Sequence, residues 1–130
     1  MKILAIDPGV TAGIAIYVDE KINTCVIKDP TELYDLIKLN PWDIVVYEDY
    51  AGTTISGAGL YTVRLIGSII GICHILNKAC IAQRPQSRLP YIRQAFNILG
   101  KSHQEHEADA LAHLLRYMEK NINVSSDNNP

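Results

Sequence analysis

Four side chains that commonly bind metal ions or transfer protons are spread along this sequence, namely Asp7, Glu48, His106 and Asp109. Asp7 and Glu48 each end a short apolar run, where a carboxylate is costly unless a cation, a hydrogen-bond donor or water accepts its charge. His106 and Asp109 are three residues apart, so a helix would project both from one face. Converging carboxylates repel one another without cations, and an oxygen-rich set suits Mg²⁺ or Mn²⁺. Because two such ions about 4 Å apart catalyse in-line phosphoryl displacement, the pattern predicts a metal-dependent phosphodiesterase with these four residues as its catalytic and metal-binding groups.

Other interpretations of these residues compete with this one. Asp7 stands before a Pro-Gly pair and could serve only as a turn residue, because aspartate is common in turns. Glu48 competes with Asp49, since neighbours on a strand point to opposite faces. Glu48 has the parity of the apolar residues before it, whereas a bulge would favour Asp49. His106 alone could be a solvated residue of the first helical turn. No role is assigned to His103 or His113.

Hydrophobic periodicity predicts the elements that would position these groups. Apolar runs predict strands over residues 3–7, 13–18, 23–27, 43–48 and 79–83, of which the first three form an antiparallel meander. Helices are predicted from Asp29 to about residue 40, over residues 91–99 after a loop bracketed by Pro85 and Pro90, and from a capping box at Ser102 to about Asn121. The last helix would lie over the ends of the first and fourth strands, where open α/β sheets bind their ligands.

A further helix, from Leu60 to Asn77, is apolar on nearly every face and follows a Gly-, Ser- and Thr-rich loop over residues 51–59. It carries Arg64 and His74 and is short for a membrane span, so no membrane association is predicted. A helix that is apolar all round needs partners on every face. Gly67 and Gly71 would let another helix approach closely. We therefore expect this helix to pack on the sheet at one side and on a second copy of the chain at the other.

Length and composition restrict the class of protein. The chain has 130 residues, enough for one domain with a single core, which we place at residues 1–121 with a polar, unstructured tail over residues 122–130. The three cysteines form no C-x-x-C pair and are odd in number, so neither a zinc site nor a disulfide framework is predicted. The chain starts directly in a strand without the pattern of a secretory signal, so a cytoplasmic location is expected.

The formal net charge of −2 hides an uneven distribution. No acidic residue occurs from residue 50 to residue 104, a 55-residue stretch that contains six Lys or Arg. Such a stretch could form one wall of a site for a polyanion, because cations that neutralise phosphates release counterions. A buried helix that needs no acids would explain the same composition equally well. The candidate phosphate contacts of this stretch are Arg84, Arg88, Arg93 and Lys101.

Three motifs resemble, in the right order, those of the RuvC-type Holliday junction resolvases, which are RNase H-like nucleases. ILAIDPGVTAGIAI resembles the opening motif of that family, VVYEDY its second acidic strand, and HEADALAHLLRY its terminal helix with the H/D-x-x-D-A-L-A pattern. The resemblance runs from Ile3 to about Tyr117. A turn of the DPGVTAG type also holds phosphates in actin-like ATPases, but those need two such domains, which 130 residues hardly accommodate.

The resemblance implies an α/β fold of the RNase H-like type, with a mixed five-stranded sheet of order 3-2-1-4-5, an antiparallel strand 2 and flanking helices. It further implies a homodimer through the Leu60–Asn77 helix, two Mg²⁺ ions for which Mn²⁺ could substitute, and cleavage of branched DNA that leaves a 5′-phosphate. Asp7 would bridge the ions, while Glu48 and Asp109 would hold one each. His106 would complete the set and help to orient the attacking water.

The chain departs from that family in being shorter, which is typical of a virus-encoded enzyme acting in a bacterial or infected host cell. Its basic loops, RPQSR and the Gly100-Lys101 pair, are thin counterparts of those in the family. Tyr50 is an approximate match to the aromatic residue that wedges a junction. These departures leave two alternatives with the same fold: a nuclease for flaps, forks or RNA–DNA hybrid, and a catalytically silent nucleic-acid binding module. Four intact ligands argue against the silent module.

Overall fold

A computed structural model describes residues 1–52, 57–100 and 105–123 of the chain. Five strands form one sheet, namely β1 (Ile3–Asp7), β2 (Ala12–Val18), β3 (Lys21–Ile27), β4 (Ile44–Glu48) and β5 (Cys80–Gln83). The α-helices are α1 (Pro30–Lys38), α2 (Gly57–Ile75), α3 (Leu89–Leu99) and α4 (Glu105–Met118). A 3₁₀ turn over Pro85–Arg88 links β5 to α3, and a π-helical turn over Glu119–Asn123 follows α4.

The sheet has the order β3-β2-β1-β4-β5, so the predicted strand order and the antiparallel strand 2 are confirmed. β2 pairs antiparallel with both β1 and β3, whereas β4 is parallel to β1 and β5 is parallel to β4. The hairpin between β2 and β3 turns at Asp19 and Glu20, which both have positive φ, as the favoured two-residue hairpin turn requires. Because β1, β4 and β5 are parallel, their carboxyl ends lie at one edge of the sheet.

The two faces of the sheet are covered by different helices. Leu4 and Ile6 of β1 pack with residues of α1 and α2 on one face. Ile3 and Ala5 pack with residues of α3 and α4 on the other face. Asp7 continues the parity of Ile3 and Ala5 at the end of the strand, so it belongs to the face that α4 covers.

Several helix boundaries differ from the sequence predictions. α2 begins at Gly57, inside the predicted loop, and ends at Ile75, because Asn77 adopts a left-handed conformation with a φ of 55°, which commonly ends helices. α3 begins at Leu89 rather than residue 91, since proline fits the first turn of a helix, where no N–H is needed. α4 gives way to the π-helical turn before the predicted end at residue 121. The predicted cap at Ser102 lies outside the described residues.

The end of the chain also differs from its prediction. Ile122, placed in the polar tail by the sequence analysis, is half-buried and packs against the core of α3 and α4. The π-helical turn therefore extends the folded part of the chain beyond residue 121. Residues 124–130 lie outside the described residues.

Helix α2 is buried on one side only. The opposite side exposes Leu60, Ile70 and Ile75 by 40%, 43% and 81%, and a Cβ added at Gly67 or Gly71 would meet no atom within 4 Å. In the described part of the chain, α2 is the one helix long and apolar enough to cross a membrane, a test that the core helix of a soluble protein also passes. The predicted packing of α2 on the sheet is observed. Its buried apolar side chains are Leu65, Ile66, Ile69 and Cys73.

Candidate active site

Close contact between β2 and α4 sets the position of the last helix relative to Asp7. Asp7 is the register partner of Gly13 on β2, and a Cβ on Gly13 would lie 1.8 Å from the backbone carbonyl oxygen of His106. The first turn of α4 therefore rests directly on the strand, an approach that only glycine permits. It brings His106 Nδ1 to 3.1 Å from Asp7 Oδ2. Thr24 on β3 ties the same turn to the sheet, because its hydroxyl donates to Glu107 Oε2 over 2.8 Å.

Helix α4 presents three polar side chains along one stripe towards the strand ends. His106, Asp109 and His113 are spaced three and then four residues apart, which places them on one helical face. His106 meets the end of β1 through Asp7, and His113 meets the ends of β4 and β5 through Glu48 and Gln83. The helix therefore crosses the carboxyl ends of all three parallel strands.

The four residues singled out from the sequence belong to one connected network. Besides the pair of His106 with Asp7, the carboxyl groups of Asp7 and Glu48 share a hydrogen bond. Arg88, from the 3₁₀ turn after β5, joins the remaining acids. Its Nε donates to Asp109 Oδ1 over 2.9 Å, and its Nη1 lies 3.8 Å from Glu48 Oε1. The arrangement thus brings together all four predicted site residues.

Asp49, the acid that competed with Glu48 in the sequence, stands outside this network. It is exposed, and its Oδ1 accepts a hydrogen bond of 2.9 Å from the backbone N–H of Tyr50. The register of β4 runs without a bulge from Ile44 to Glu48. The structure therefore places Glu48, and not Asp49, on the face of the sheet that carries Asp7.

Partial burial shifts the pKa values of the acids in the network. The side chains of Asp7, Asp109 and Glu48 are 9%, 14% and 19% exposed. Burial, followed by the charge of Glu48, raises the pKa of Asp7 to about 7. Burial also raises the pKa of Asp109, against the opposing effect of Arg88. Burial acts upward on Glu48 as well, but its hydrogen bond and charge interaction with His113, together with Arg88, outweigh it, so the pKa of Glu48 lies below its ordinary value. Of this pair, Asp7 is therefore the acid that keeps its proton as pH rises towards about 7.

His113 is a member of the network that the sequence analysis missed. Its ring is fully buried, with Nε2 2.9 Å from Glu48 Oε1 and Nδ1 2.7 Å from Gln83 Oε1. Gln83 ends β5 as Glu48 ends β4, and the two are register partners. One signal was present in the sequence, since His113 follows Asp109 by one helical turn on the stripe that already carried His106.

The chemistry of the donor set fits a hard divalent cation. Three carboxylates and an imidazole meet here, and the Arg88 guanidinium pairs with two of the acids, Asp109 and Glu48. Burial, and after it the negative charge of Glu48, raise the pKa of Asp7. Within residues 1–52, 57–100 and 105–123, no group of three or more His, Cys, Asp or Glu stands ready to hold a metal ion. Arg88 and His113 instead use part of the bonding capacity of Asp109 and Glu48. A metal ion would have to compete with these partners.

The predicted DNA-contacting residues lie at different distances from the acids. Arg88 contacts the acids themselves. Arg84 and Tyr50 line an open groove of about 620 Å³ between the residues that follow β4 and those that follow β5, and Tyr50 also packs against the core beneath α2. Arg93 is exposed on α3. Lys101 lies outside the described residues.

A second cavity, of about 610 Å³, lies at the other end of the strands, where Met1, Tyr17 and Glu20 are among the residues that line it. Tyr17 is the register partner of Ile3, at the start of β1, so this cavity is a strand length away from the Asp7 carboxylate. Because the two cavities are similar in volume, the convergence of carboxylates identifies the candidate site and cavity size does not.

These features define an RNase H-like α/β fold with an acidic site at the carboxyl edge of its sheet. No protein-family model matches the chain, and no curated protein matches it.

Solved structures do match. RuvC of Thermus thermophilus in complex with a Holliday junction substrate has a TM-score of 0.71 at 16% identity, over 93% of this chain and 96% of RuvC. The fowlpox virus Holliday junction resolvase has a TM-score of 0.64 at 18% identity, over 92% of this chain and 99% of the resolvase. Its complex with substrate Holliday junction DNA has a TM-score of 0.64 at 19% identity, over 94% and 99%. The chain has the fold of the RuvC-type resolvases, as its motifs predicted.

Proposed function

We propose that this protein is a metal-dependent endonuclease that cleaves phosphodiester bonds in branched DNA, with four-way junctions as its preferred substrate. The observation that carries the proposal is the convergence of Asp7, Glu48 and Asp109, from three separate elements, at one edge of the sheet, with His106 beside Asp7. Like charges held together in a partly buried place disfavour the folded state, and such arrangements cluster at functional sites. The shared fold with structures solved in complex with Holliday junctions supports this substrate class.

Asp7, Glu48, Asp109 and His106 would hold two Mg²⁺ ions, or Mn²⁺ in their place. When bound, such ions stabilise the charge that develops on the phosphate and lower the pKa of an attacking water. Asp7 is the most buried of the three acids and touches both Glu48 and His106, so it is the group best placed to serve both ions. The side chain of His106 is 49% exposed. Because its Nδ1 lies against Asp7, the other ring nitrogen is the one that would complete the ligand set and so help to orient the attacking water.

Arg88 has a different role in this proposal. In the metal-free protein its guanidinium offsets part of the charge of Asp109 and Glu48. With these carboxylates held by metal ions, the guanidinium would be free to bind a DNA phosphate, for which its planar fork of donors is well suited. Arg84 and Tyr50 line the adjoining groove, where a basic and an aromatic side chain suit a phosphate and an unstacked base. We assign further phosphate contacts to Arg93 and Lys101.

A homodimer through α2 belongs to the same proposal. A four-way junction has two-fold symmetry, so a two-fold dimer would present one active site to each of two equivalent strands. The apolar side of α2 that exposes Leu60 and Ile70 supports this assembly, as do Gly67 and Gly71, where no neighbouring atom lies within reach of an added Cβ. Sedimentation at micromolar concentration should give twice the mass of the chain, and Ile70→Asp should halve it. A monomeric wild type would contradict the dimer.

Substrate choice is tested by incubating the protein with synthetic four-way, flap, fork, RNA–DNA hybrid and linear DNA duplexes in Mg²⁺, Mn²⁺ or EDTA. We expect metal-dependent cleavage of the four-way junction that Asp7→Asn abolishes. Equal cleavage of all substrates would remove the junction preference and leave the nuclease. Binding of DNA without cleavage under either metal would indicate a silent module. Cleavage unaffected by Asp7→Asn would refute the site.

A further inference from the structure

The structure assigns His113 and Gln83 as positioning residues, which hold the carboxylate of Glu48 in the orientation that binds the metal. Both residues are buried, and neither lies among the four site residues that the motifs imply. The inference rests on the proposed function in one respect only, namely that Glu48 is a metal ligand.

The geometry places the two residues directly behind Glu48. Glu48 and Gln83 are register partners at the ends of neighbouring parallel strands. The ring of His113, from the helix above, bridges them with contacts of 2.9 Å to Glu48 Oε1 and 2.7 Å to the Gln83 carboxamide. Each end of the imidazole is thus fixed by a different strand. The ring cannot rotate without losing one of these contacts.

The burial of His113 argues for a specific use. Its ring is 0% exposed and its helix neighbours in the core are all apolar, so a leucine would fill the same place without any polar group to satisfy. Burying an imidazole is costly unless both nitrogens have partners. The chain meets this requirement by ending β5 with Gln83, which is itself buried. The core therefore contains two buried polar side chains, those of His113 and Gln83, and His113 connects them to the carboxylate of Glu48.

The hydrogen-bonding chemistry is consistent with this assignment. A carboxylate accepts hydrogen bonds, so the His113 Nε2 that faces Glu48 carries the proton. The Nδ1 lies 2.7 Å from Gln83 Oε1, an acceptor, so a ring that donates from both nitrogens satisfies both partners. Outer partners of this kind fix the orientation of metal ligands, and their removal typically lowers metal affinity or activity by roughly 10- to 100-fold.

The test compares three substitutions that separate positioning from packing. His113→Leu keeps the volume and removes the donor, His113→Gln returns a side-chain N–H to a similar place, and Gln83→Leu removes the partner of Nδ1. Leu114→Val is the matched control, since it trims a fully buried side chain on the same helix that has no polar group to offer Glu48. The readouts are Mn²⁺ affinity, from the electron paramagnetic resonance of free Mn²⁺, and the single-turnover cleavage rate set against DNA affinity in EDTA. Thermal unfolding of each variant is measured alongside.

We expect His113→Leu to weaken Mn²⁺ binding and slow cleavage by about 10- to 100-fold with unchanged DNA affinity. His113→Gln should recover most of the loss, Gln83→Leu should fall between, and Leu114→Val should lose stability only. The inference is overturned if His113→Leu binds Mn²⁺ with the affinity of the wild type. It is equally overturned if His113→Gln or Leu114→Val loses as much Mn²⁺ affinity and cleavage rate as His113→Leu. It is also overturned if the wild type binds no Mn²⁺ through Glu48. A wild type that binds Mn²⁺ through Glu48 but cleaves no DNA refutes the proposed function instead, and the Mn²⁺ affinities still decide the role of His113.

Discussion

Gly13 is the residue at which one added methyl group should disable the candidate site without touching any of its side chains. The backbone of Gly13 is not in a left-handed conformation, so alanine is not strained there by its own geometry. The obstacle is His106, whose carbonyl oxygen and carbon would lie 1.8 Å and 2.3 Å from the new Cβ. Both atoms belong to the backbone of α4 and cannot rotate away. Gly13→Ala therefore forces the first turn of the helix off the sheet.

The size of the displacement follows from these distances. Moving the His106 carbonyl oxygen from 1.8 Å to an ordinary contact at 3.4 Å requires a shift of about 1.6 Å, since 3.4 − 1.8 = 1.6. His106 Nδ1 is now 3.1 Å from Asp7 Oδ2, so a shift of this size breaks that contact. A misplacement of about 1 Å at an active site can lower the rate roughly 100-fold. Overpacking of this kind also costs about 1–3 kcal/mol of stability.

The assay is single-turnover cleavage of a labelled four-way junction, performed well below the melting temperature of each variant. Gly9→Ala is the matched control, because it makes the same chemical change in the turn that precedes β2, where the new Cβ would meet only the Thr11 carbonyl at an ordinary 3.5 Å. We expect Gly13→Ala to lose about 100-fold in rate and Gly9→Ala to fold with the stability of the wild type. A Gly13→Ala variant with the rate and melting temperature of the wild type would refute the close approach of α4 to β2.

Three further expectations follow from the network and its anchors. In EDTA, the pKa of Asp7 is raised from 3.8 to about 7. Between these two pH values the folded protein therefore keeps a proton that the unfolded chain has lost. The stability that Asp7 contributes is therefore complete below pH 3.8 and falls as pH rises to about 7, by up to about 1.4 kcal/mol per pH unit. Asp7→Asn should flatten this dependence and melt at a higher temperature than the wild type above pH 7, and parallel melting curves from pH 4 to 8 would count against the assignment. Arg88→Gln should bind Mn²⁺ about tenfold more tightly, or ~1.4 kcal/mol, because the competing cation is gone, while cleavage slows; weaker Mn²⁺ binding by electron paramagnetic resonance would contradict this role. Thr24→Val should lower the free energy of unfolding in urea by about 1 kcal/mol through loss of the hydrogen bond to Glu107, and an unchanged midpoint would mean that this contact does not anchor α4.

Much of the fold could be predicted because it depends on local patterns. The alternation of Ile3, Ala5 and Asp7 places the aspartate on one face of its strand, and the same parity argument places Glu48 rather than Asp49 beside it. The spacing of His106 and Asp109 puts both on one helical face, whatever that helix packs against. These relations hold within a single element, so the sequence alone expresses them.

The parts that escaped prediction depend on contacts between distant segments. The partners of His113 lie on β4 and β5, 65 and 30 residues away along the chain, and no local pattern joins them. Arg88 was expected to face a phosphate, yet it pairs with Asp109 and Glu48 because the 3₁₀ turn brings it back over the strand ends. The early start of α3 at Leu89 also escapes prediction, because Pro90 reads equally well as the end of a loop and as a residue of a first helical turn, where proline is favoured.

The central claim, that the acids on the α4 face of the sheet carry out metal-dependent DNA cleavage, is tested most directly by comparing two neighbouring residues. Glu48→Gln removes a charge from the network, and Asp49→Asn removes one from the adjacent exposed side chain. The measurement is the Mg²⁺-dependent cleavage rate of one labelled four-way junction. We expect Glu48→Gln to reduce cleavage to background and Asp49→Asn to stay within a few-fold of the wild type. Loss of cleavage in Asp49→Asn with retention in Glu48→Gln, or retention in both, would contradict the site.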